Sequence, residues 1–385
     1  MNIILAKFKK NLFFLYNFFL IFIISCFFFL IADFFFGKII VNQYLNTIKD
    51  SATYHKKQRI RHDFFHHSFA PNIDYKKTGW GPLTYRLCTD KNGFKNKCNS
   101  SDKDKYKIVF IGDSFVEGIG LSYENTFSSI ISEKLKISVA NMGVSSYSTK
   151  IYLSKIKYFL DKGLKFDHVV VYIDISDLID DVNYFEIKKN FKVRDQDLGK
   201  KIEWFVNAKF PVLDQAIFYF FKTKKKVYGY DVNTTINKNI NFDVKPTYRK
   251  DYDLRSVWTY AEKDIVNGYK LTVSKGLQEQ LNVMNTLHKM LKEKNINLSV
   301  AVYPWPQTIL YDKPFNIHVK TWKKFCEDVK CANFINHYDL FMSEKDDIKK
   351  KIYKINSYYL SGDIHFNSSG NNMIANDFIK KFKNY

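Results

Sequence analysis

Lys107-Ile108-Val109-Phe110-Ile111-Gly112-Asp113-Ser114-Phe115 is a short apolar run that ends on a glycine and passes into a polar turn. A run of this length, closed by a turn signal, reads as a strand buried on both faces. A serine just past such a strand, with a helix to follow, stands beside backbone N–H groups able to hold a developing oxyanion, and the glycine permits the tight turn. A simple capping turn can use the same residues, so what lies elsewhere in the chain has to decide between them.

Working outward, further buried strands read at 137–141, 168–173 and 298–303, with a shorter one at 332–335. Helix-period segments lie near 124–136, 149–162, 263–294, 317–329 and 369–382. Strands alternating with helices imply βαβ crossovers and a mainly parallel, five-stranded sheet covered on both faces, an α/β fold. Ligands in such folds sit at the carboxyl ends of the strands. Residues 183–256 break the rhythm with an aromatic run at 217–221, lysines at 224–226 and asparagine-rich turns. The expectation is an insertion capping the site, whose aromatic strip either binds sugar or acyl groups or packs on the main domain.

A serine hydroxyl needs a base. Gly362-Asp363-Ile364-His365-Phe366-Asn367 precedes the last helix, and a carboxylate two residues before a histidine can orient the imidazole and stabilise its protonated form. Val302-Tyr303-Pro304-Trp305-Pro306 follows the fourth strand. The prolines stiffen it, and Trp305 offers either a flat face for a sugar or a packing surface.

Together these segments resemble the SGNH/GDSL hydrolase superfamily over roughly residues 105–383. The resemblance implies a flavodoxin-like three-layer α/β/α domain in which Ser114 is the nucleophile, His365 the base and Asp363 its partner. It places the oxyanion donors at Ser114, at Gly143 of Asn141-Met142-Gly143, and at Ser176 of Ile175-Ser176-Asp177, where the family usually has asparagine. The last block has one residue fewer than the usual Asp-x-x-His, which resembles the branch containing alginate-type O-acetyltransferases. The implied chemistry is ester hydrolysis through an acyl-enzyme, or transfer of the acyl group to a polysaccharide by the same triad. A membrane acyl-donor protein is a possible partner for transfer. A non-catalytic glycan-binding protein on the same fold is the third reading. No cofactor and no metal is expected.

The amino end differs from all that follows. Lys7, Lys9 and Lys10 precede an uncharged stretch, residues 11–32, rich in Phe, Leu and Ile, about 33 Å long as a helix and sufficient for a bilayer core. Phe34, Phe35 and Phe36 follow where a cleavable signal would have small residues. The expected layout is a cytoplasmic tip and single membrane anchor over 1–36, a juxtamembrane linker over 37–104, and a catalytic domain over 105–385 outside the cytoplasmic membrane. The linker's His62, His66 and His67 read as a solvated stalk, since no third ligand joins 62 and 66 for a metal.

Of the five cysteines, Cys26 falls in the apolar stretch, and Cys88, Cys98, Cys326 and Cys331 form two local pairs. In an exported domain they suggest disulfides; free thiols are the alternative. The net charge of +21 is spread along the chain without arginine clusters. With Lys, Asn, Ile, Phe and Tyr all abundant together, it reads as a general compositional bias, and no nucleic-acid partner is expected.

Overall fold

The computed structural model describes residues 2–47, 59–80, 83–196, 198–217, 245–250, 253–261, 263–266 and 268–382. Five strands form one parallel sheet: β1 (Lys105–Ile111), β2 (Val139–Asn141), β3 (Lys165–Ile173), β4 (Asn297–Val302) and β5 (Asn333–Asn336). Their order across the sheet is β2-β1-β3-β4-β5, all parallel, the flavodoxin-like order with its switch point between β1 and β3. The residues 108–111 and 168–173 are buried throughout, as covering on both faces demands. Helices α1 (Phe127–Leu135) and α5 (Ser368–Lys381) pack together on one face, and α2 (Thr149–Asp161), α3 (Val273–Glu293) and α4 (Ile317–Val329) lie on the other. This is the three-layer α/β/α arrangement that the strand–helix alternation implies.

Three expectations change. The helix expected from 263 starts only at Val273, because Gly268 sits at φ 87° and Thr272 caps the new start by accepting from Lys275 N. The linker is no solvated stalk after Arg59. Antiparallel pairs Arg59–His62/His66–Phe69 and Asp74–Trp80/Leu83–Cys88 fold onto the α/β body, burying Phe65, Phe69, Leu87 and Phe94 in its core. Finally, the 183–256 segment divides. The hairpin Phe185–Ile187/Val193–Asp195 joins the body, where Val193 N donates to Phe64 O at 2.8 Å. Thr247, Asp253 and Arg255 reach the cleft described below, whereas 198–217 belong with the N-terminal helix. The lysines at 224–226 and nearly all of the aromatic run lie outside the described residues.

The N-terminal helix is continuous over Asn2–Thr47, and Phe13–Val41 is long and apolar enough to cross a membrane. Cys88 is bonded to Cys98, and Cys326 to Cys331; Cys26 is free.

Lys155 of α2 ties the core to the loop after β2. Its ammonium is fully buried among the rings of Phe65, Phe94 and Tyr147 and donates to Met142 O at 3.0 Å and Tyr147 Oη at 3.1 Å. Burial pushes this ammonium down to about 7. Between that value and the ordinary lysine range only the unfolded chain keeps the proton, so this group makes stability rise with pH. Denaturant unfolding of the wild type and Lys155→Met at several pH values checks this. The wild type should gain on the variant by at most about 1.4 kcal/mol per pH unit between roughly pH 7 and 10, and a flat difference would contradict it.

Candidate active site

The turn after β1 carries the serine as expected. Asp113 accepts from Phe115 N at 3.0 Å and so caps the short helix Ser114–Glu117, which ends at Gly118. Ser114 is thereby the first helical residue, and its own N–H has no intrahelical acceptor. The histidine comes from a loop fixed at both ends. Tyr359 and Phe366 pair across its base, Leu360 N donates to His365 O at 2.8 Å, and Gly362 N donates to Tyr248 Oη at 2.9 Å. Asn367 caps α5 and also donates to Ser357 O at 3.0 Å, closing the loop.

These two loops bring Ser114, His365 and Asp363 together. Ser114 Oγ lies 2.8 Å from His365 Nε2, and His365 Nδ1 hydrogen-bonds Asp363 Oδ1. The same carboxylate oxygen accepts from His365 N at 2.9 Å, and Oδ2 accepts from Trp80 Nε1 at 2.7 Å. Burial alone would raise the Asp363 carboxyl, but the donors on His365 and then Trp80 outweigh it and hold the group down at about 2. Asp363 therefore stays ionised and fixes the histidine tautomer that leaves Nε2 free to accept the serine proton. Trp80 also stands edge-on to the imidazole, with ring centroids 5.5 Å apart. No sequence signal pointed to it, since it comes from a hairpin 283 residues away.

The expected oxyanion donors are placed differently. Gly143 N donates to Asn141 Oδ1 at 3.1 Å, and a Cβ on Gly143 would lie 2.5 Å from Glu117 N and 2.6 Å from Val116 Cβ. This glycine serves close packing, and its N–H is already engaged. Ser176 lines the cleft, but both its N–H and its hydroxyl donate to Asp174 Oδ1, at 2.7 and 2.6 Å. Trp305 is 0% exposed and donates to Asp174 Oδ2 at 2.8 Å, with Arg255 over its ring. It lines the cleft wall, but its indole N–H is spent on Asp174 and its ring lies under Arg255, so it presents little free face.

Ser146 is the residue the sequence reading missed. It lines the cleft with Ser114, holds φ +64° without being glycine, and its N–H makes no hydrogen bond among the described residues. The preceding peptide is clamped from three sides. Ser145 N donates to Glu117 Oε2 at 2.7 Å, while Ser145 O accepts from Arg59 Nη1 at 3.2 Å and His67 Nε2 at 2.9 Å. His67 Nδ1 meets His66 Nδ1 at 2.7 Å, and His66 Nε2 meets Asp195 Oδ1 at 2.7 Å. Burial lowers the His67 imidazole well below its ordinary value, so it is neutral and donates from Nε2. The histidines read as stalk residues thus brace the rim of the cleft.

The cleft has a volume of about 370 Å³ and is walled by Trp80, Ser145, Ser146, Thr247, Arg255 and Ile364 around Ser114 and His365. Among the described residues one trio of potential metal ligands converges, Asp74, Cys88 and Cys98. Its two sulfurs are bonded to each other and Asp74 is paired with Arg86, so it does not suit a metal.

No protein-family model matches the chain, and no curated protein matches it. Similar solved structures include a psychrotrophic esterase from Pseudoalteromonas sp., 10% identical, covering 72% of this chain and 96% of that one with a TM-score of 0.37. A catalytic mutant of an acetylxylan esterase from Geobacillus stearothermophilus is 11% identical, covering 73% and 95% with a TM-score of 0.38. A member of the lipolytic protein G-D-S-L family from Veillonella parvula is 10% identical, covering 72% and 97% with a TM-score of 0.35.

Glu117→Gln keeps the size of the clamp and weakens its hold on Ser145 N. Steady-state ester hydrolysis should show kcat reduced by up to about 100-fold with KM nearly unchanged, as for a small displacement of a reacting group. A change confined to KM would show that the 145–146 peptide binds substrate without serving the chemical step.

Proposed function

We propose that the chain is a membrane-anchored serine esterase acting on acyl esters of a glycan, through Ser114, His365 and Asp363. The observation that carries this reading is the unbroken chain from Asp363 through His365 Nδ1 and Nε2 to Ser114 Oγ at the carboxyl rim of the sheet. His365 takes the serine proton as Oγ attacks the ester carbonyl, then returns it to the leaving alcohol. Water, deprotonated in turn by His365, releases the acid from the acyl-enzyme.

Two backbone N–H groups, Ser114 and Ser146, are the donors this reading assigns to the tetrahedral oxyanion. Both belong to the cleft wall, and neither is spent on another acceptor among the described residues. The cleft favours a hydroxyl-rich substrate over a long acyl chain. Its walls carry Ser145, Ser146 and the Arg255 guanidinium, which Asp253 holds in place, with the part-exposed Trp80 indole beside the histidine.

The reading puts the catalytic domain outside the cytoplasmic membrane. Lys7, Lys9 and Lys10 before the apolar helix favour an inside amino end, and two disulfides suit an oxidising compartment. An anchored enzyme there meets surface or exported glycans.

Hydrolysis of p-nitrophenyl acetate and of acetylated oligosaccharides by the purified chain tests this. Ser114→Ala and His365→Ala should each lower kcat by at least about 1000-fold, and the double variant should be no worse than either, because the pair acts as a unit. Turnover that survives Ser114→Ala would sink the proposal. Adding a deacetylated oligosaccharide and analysing products by mass shows whether water or a sugar hydroxyl resolves the acyl-enzyme.

A further inference from the structure

We infer that the helix Leu198–Lys209 is a second membrane-contacting element, lying on the phospholipid surface and locked to the N-terminal helix where the following helical residues 211–217 meet Asp33. The inference rests on the reading of the N-terminal helix as a membrane span. Leu198–Lys209 is helical, and Leu198, Ile202 and Phe205 follow one another at intervals of four and three, one face of a helix. They are 69%, 54% and 58% exposed. A row of large apolar side chains on one face, left uncovered, is the pattern of a helix that lies in a membrane interface.

The opposite requirement, firm attachment, is met on the N-terminal helix. Asp33 is a carboxylate in the apolar stretch, and such a group needs a partner. It is buried and accepts from Val212 N and Leu213 N, both at 2.9 Å, at the start of the helical residues 211–217. Those N–H groups would otherwise lack acceptors, so each side satisfies the other. Phe210 packs on Phe34 with ring centroids 6.3 Å apart, and the Lys209 ammonium lies 5.5 Å from the Phe34 ring. Gly37 lets the two elements approach, since a Cβ there would lie 2.9 Å from Pro211 Cγ.

Length then fixes the depth. Twenty helical residues from Phe13 to Ala32 cover about 30 Å, the thickness of the hydrocarbon core. Asp33 therefore falls at its far boundary, and Phe34, Phe35, Phe36, Ile39 and Ile40, all exposed, continue past it. The 198–217 element is attached at that level, through Asp33 and Phe34. Lys209 lies at the end of the helix Leu198–Lys209, exposed, which suits anionic headgroups. The occupant of the exposed face is accordingly the bilayer.

The test uses the full chain in nanodiscs of phosphatidylcholine with phosphatidylglycerol. An environment-sensitive fluorophore is placed on native Cys26, or on single cysteines at 202, 205 or 207 in a Cys26→Ser background. Lipids spin-labelled near the headgroup should quench 202 and 205 severalfold more than 207, half a turn away. Quenching at 26 by chain-labelled lipid with 202 and 205 no more quenched than 207 would overturn the inference and leave the anchor standing. No lipid quenching at 26 would remove the anchor and the inference with it. Probes at 202 and 205 shielded from a water-soluble quencher yet untouched by lipid would show a protein on this face, and would overturn the bilayer as its occupant.

Discussion

The active site hangs on the clasp of Val116 between two glycines. A Cβ on Gly112 would lie 2.4 Å from Val116 Cγ2 and 3.0 Å from Tyr172 O, and one on Gly143 would lie 2.6 Å from Val116 Cβ. With both positions bare, the short helix bearing Ser114 settles against the turn after β1 and the loop that follows β2. Hydrogen bonds then lock the contact. Asn141 Nδ2 donates to Val116 O at 2.7 Å, and Glu117 takes Ser145 N. The nucleophile and the 145–146 rim are therefore one rigid piece, which is the condition for donors aimed in advance at a developing charge.

Buried carboxylates extend this rigidity around the rim. Asp174 takes donors from Ser176 and Trp305, joining the ends of β3 and β4. Asp177 accepts from Tyr152 Oη at 2.9 Å, and Asp181 from Ser148 Oγ at 2.5 Å, Thr149 Oγ1 at 2.7 Å and Gln280 Nε2 at 3.0 Å. These acids gather donors from helices α2 and α3 and from the loops after the strands. Burial pushes the Asp113 and Asp177 carboxyls well above the usual range, with neighbouring acids adding to the effect. The site gives up stability for position.

What the sequence disclosed follows from how local each signal is. The strand ending in Gly112-Asp113-Ser114 and the Asp363–His365 loop are complete within a few residues, and their meeting follows from a parallel sheet that gathers its loops at one edge. Gly143 was misread because a glycine after a strand can mark either an exposed amide or a close approach, and only Val116 and Glu117 in space decide. Ser146 carries no sign of its positive φ, since serine gives none. The hairpins at 59–88 consist of strands of four to seven residues, too short for a periodicity to emerge. Hence Trp80 and the His66–His67 brace could not be found in advance.

The acid beside Ser114 bears directly on the anionic intermediate of the proposed mechanism. The Ser114 hydroxyl has one proton and two acceptors in reach, His365 Nε2 at 2.8 Å and Asp113 Oδ2 at 3.1 Å. An ionised Asp113 would compete for that proton and would repel the oxyanion formed next to it. Burial first, then the nearby Asp174, push the Asp113 carboxyl well above the usual carboxylate range, while Tyr303 Oη and Phe115 N continue to bind Oδ1 at 3.0 Å each. That shift disfavours a second charge beside the serine, and in the proposed mechanism the charge that stabilises the imidazolium is supplied by Asp363, on the far side of the ring.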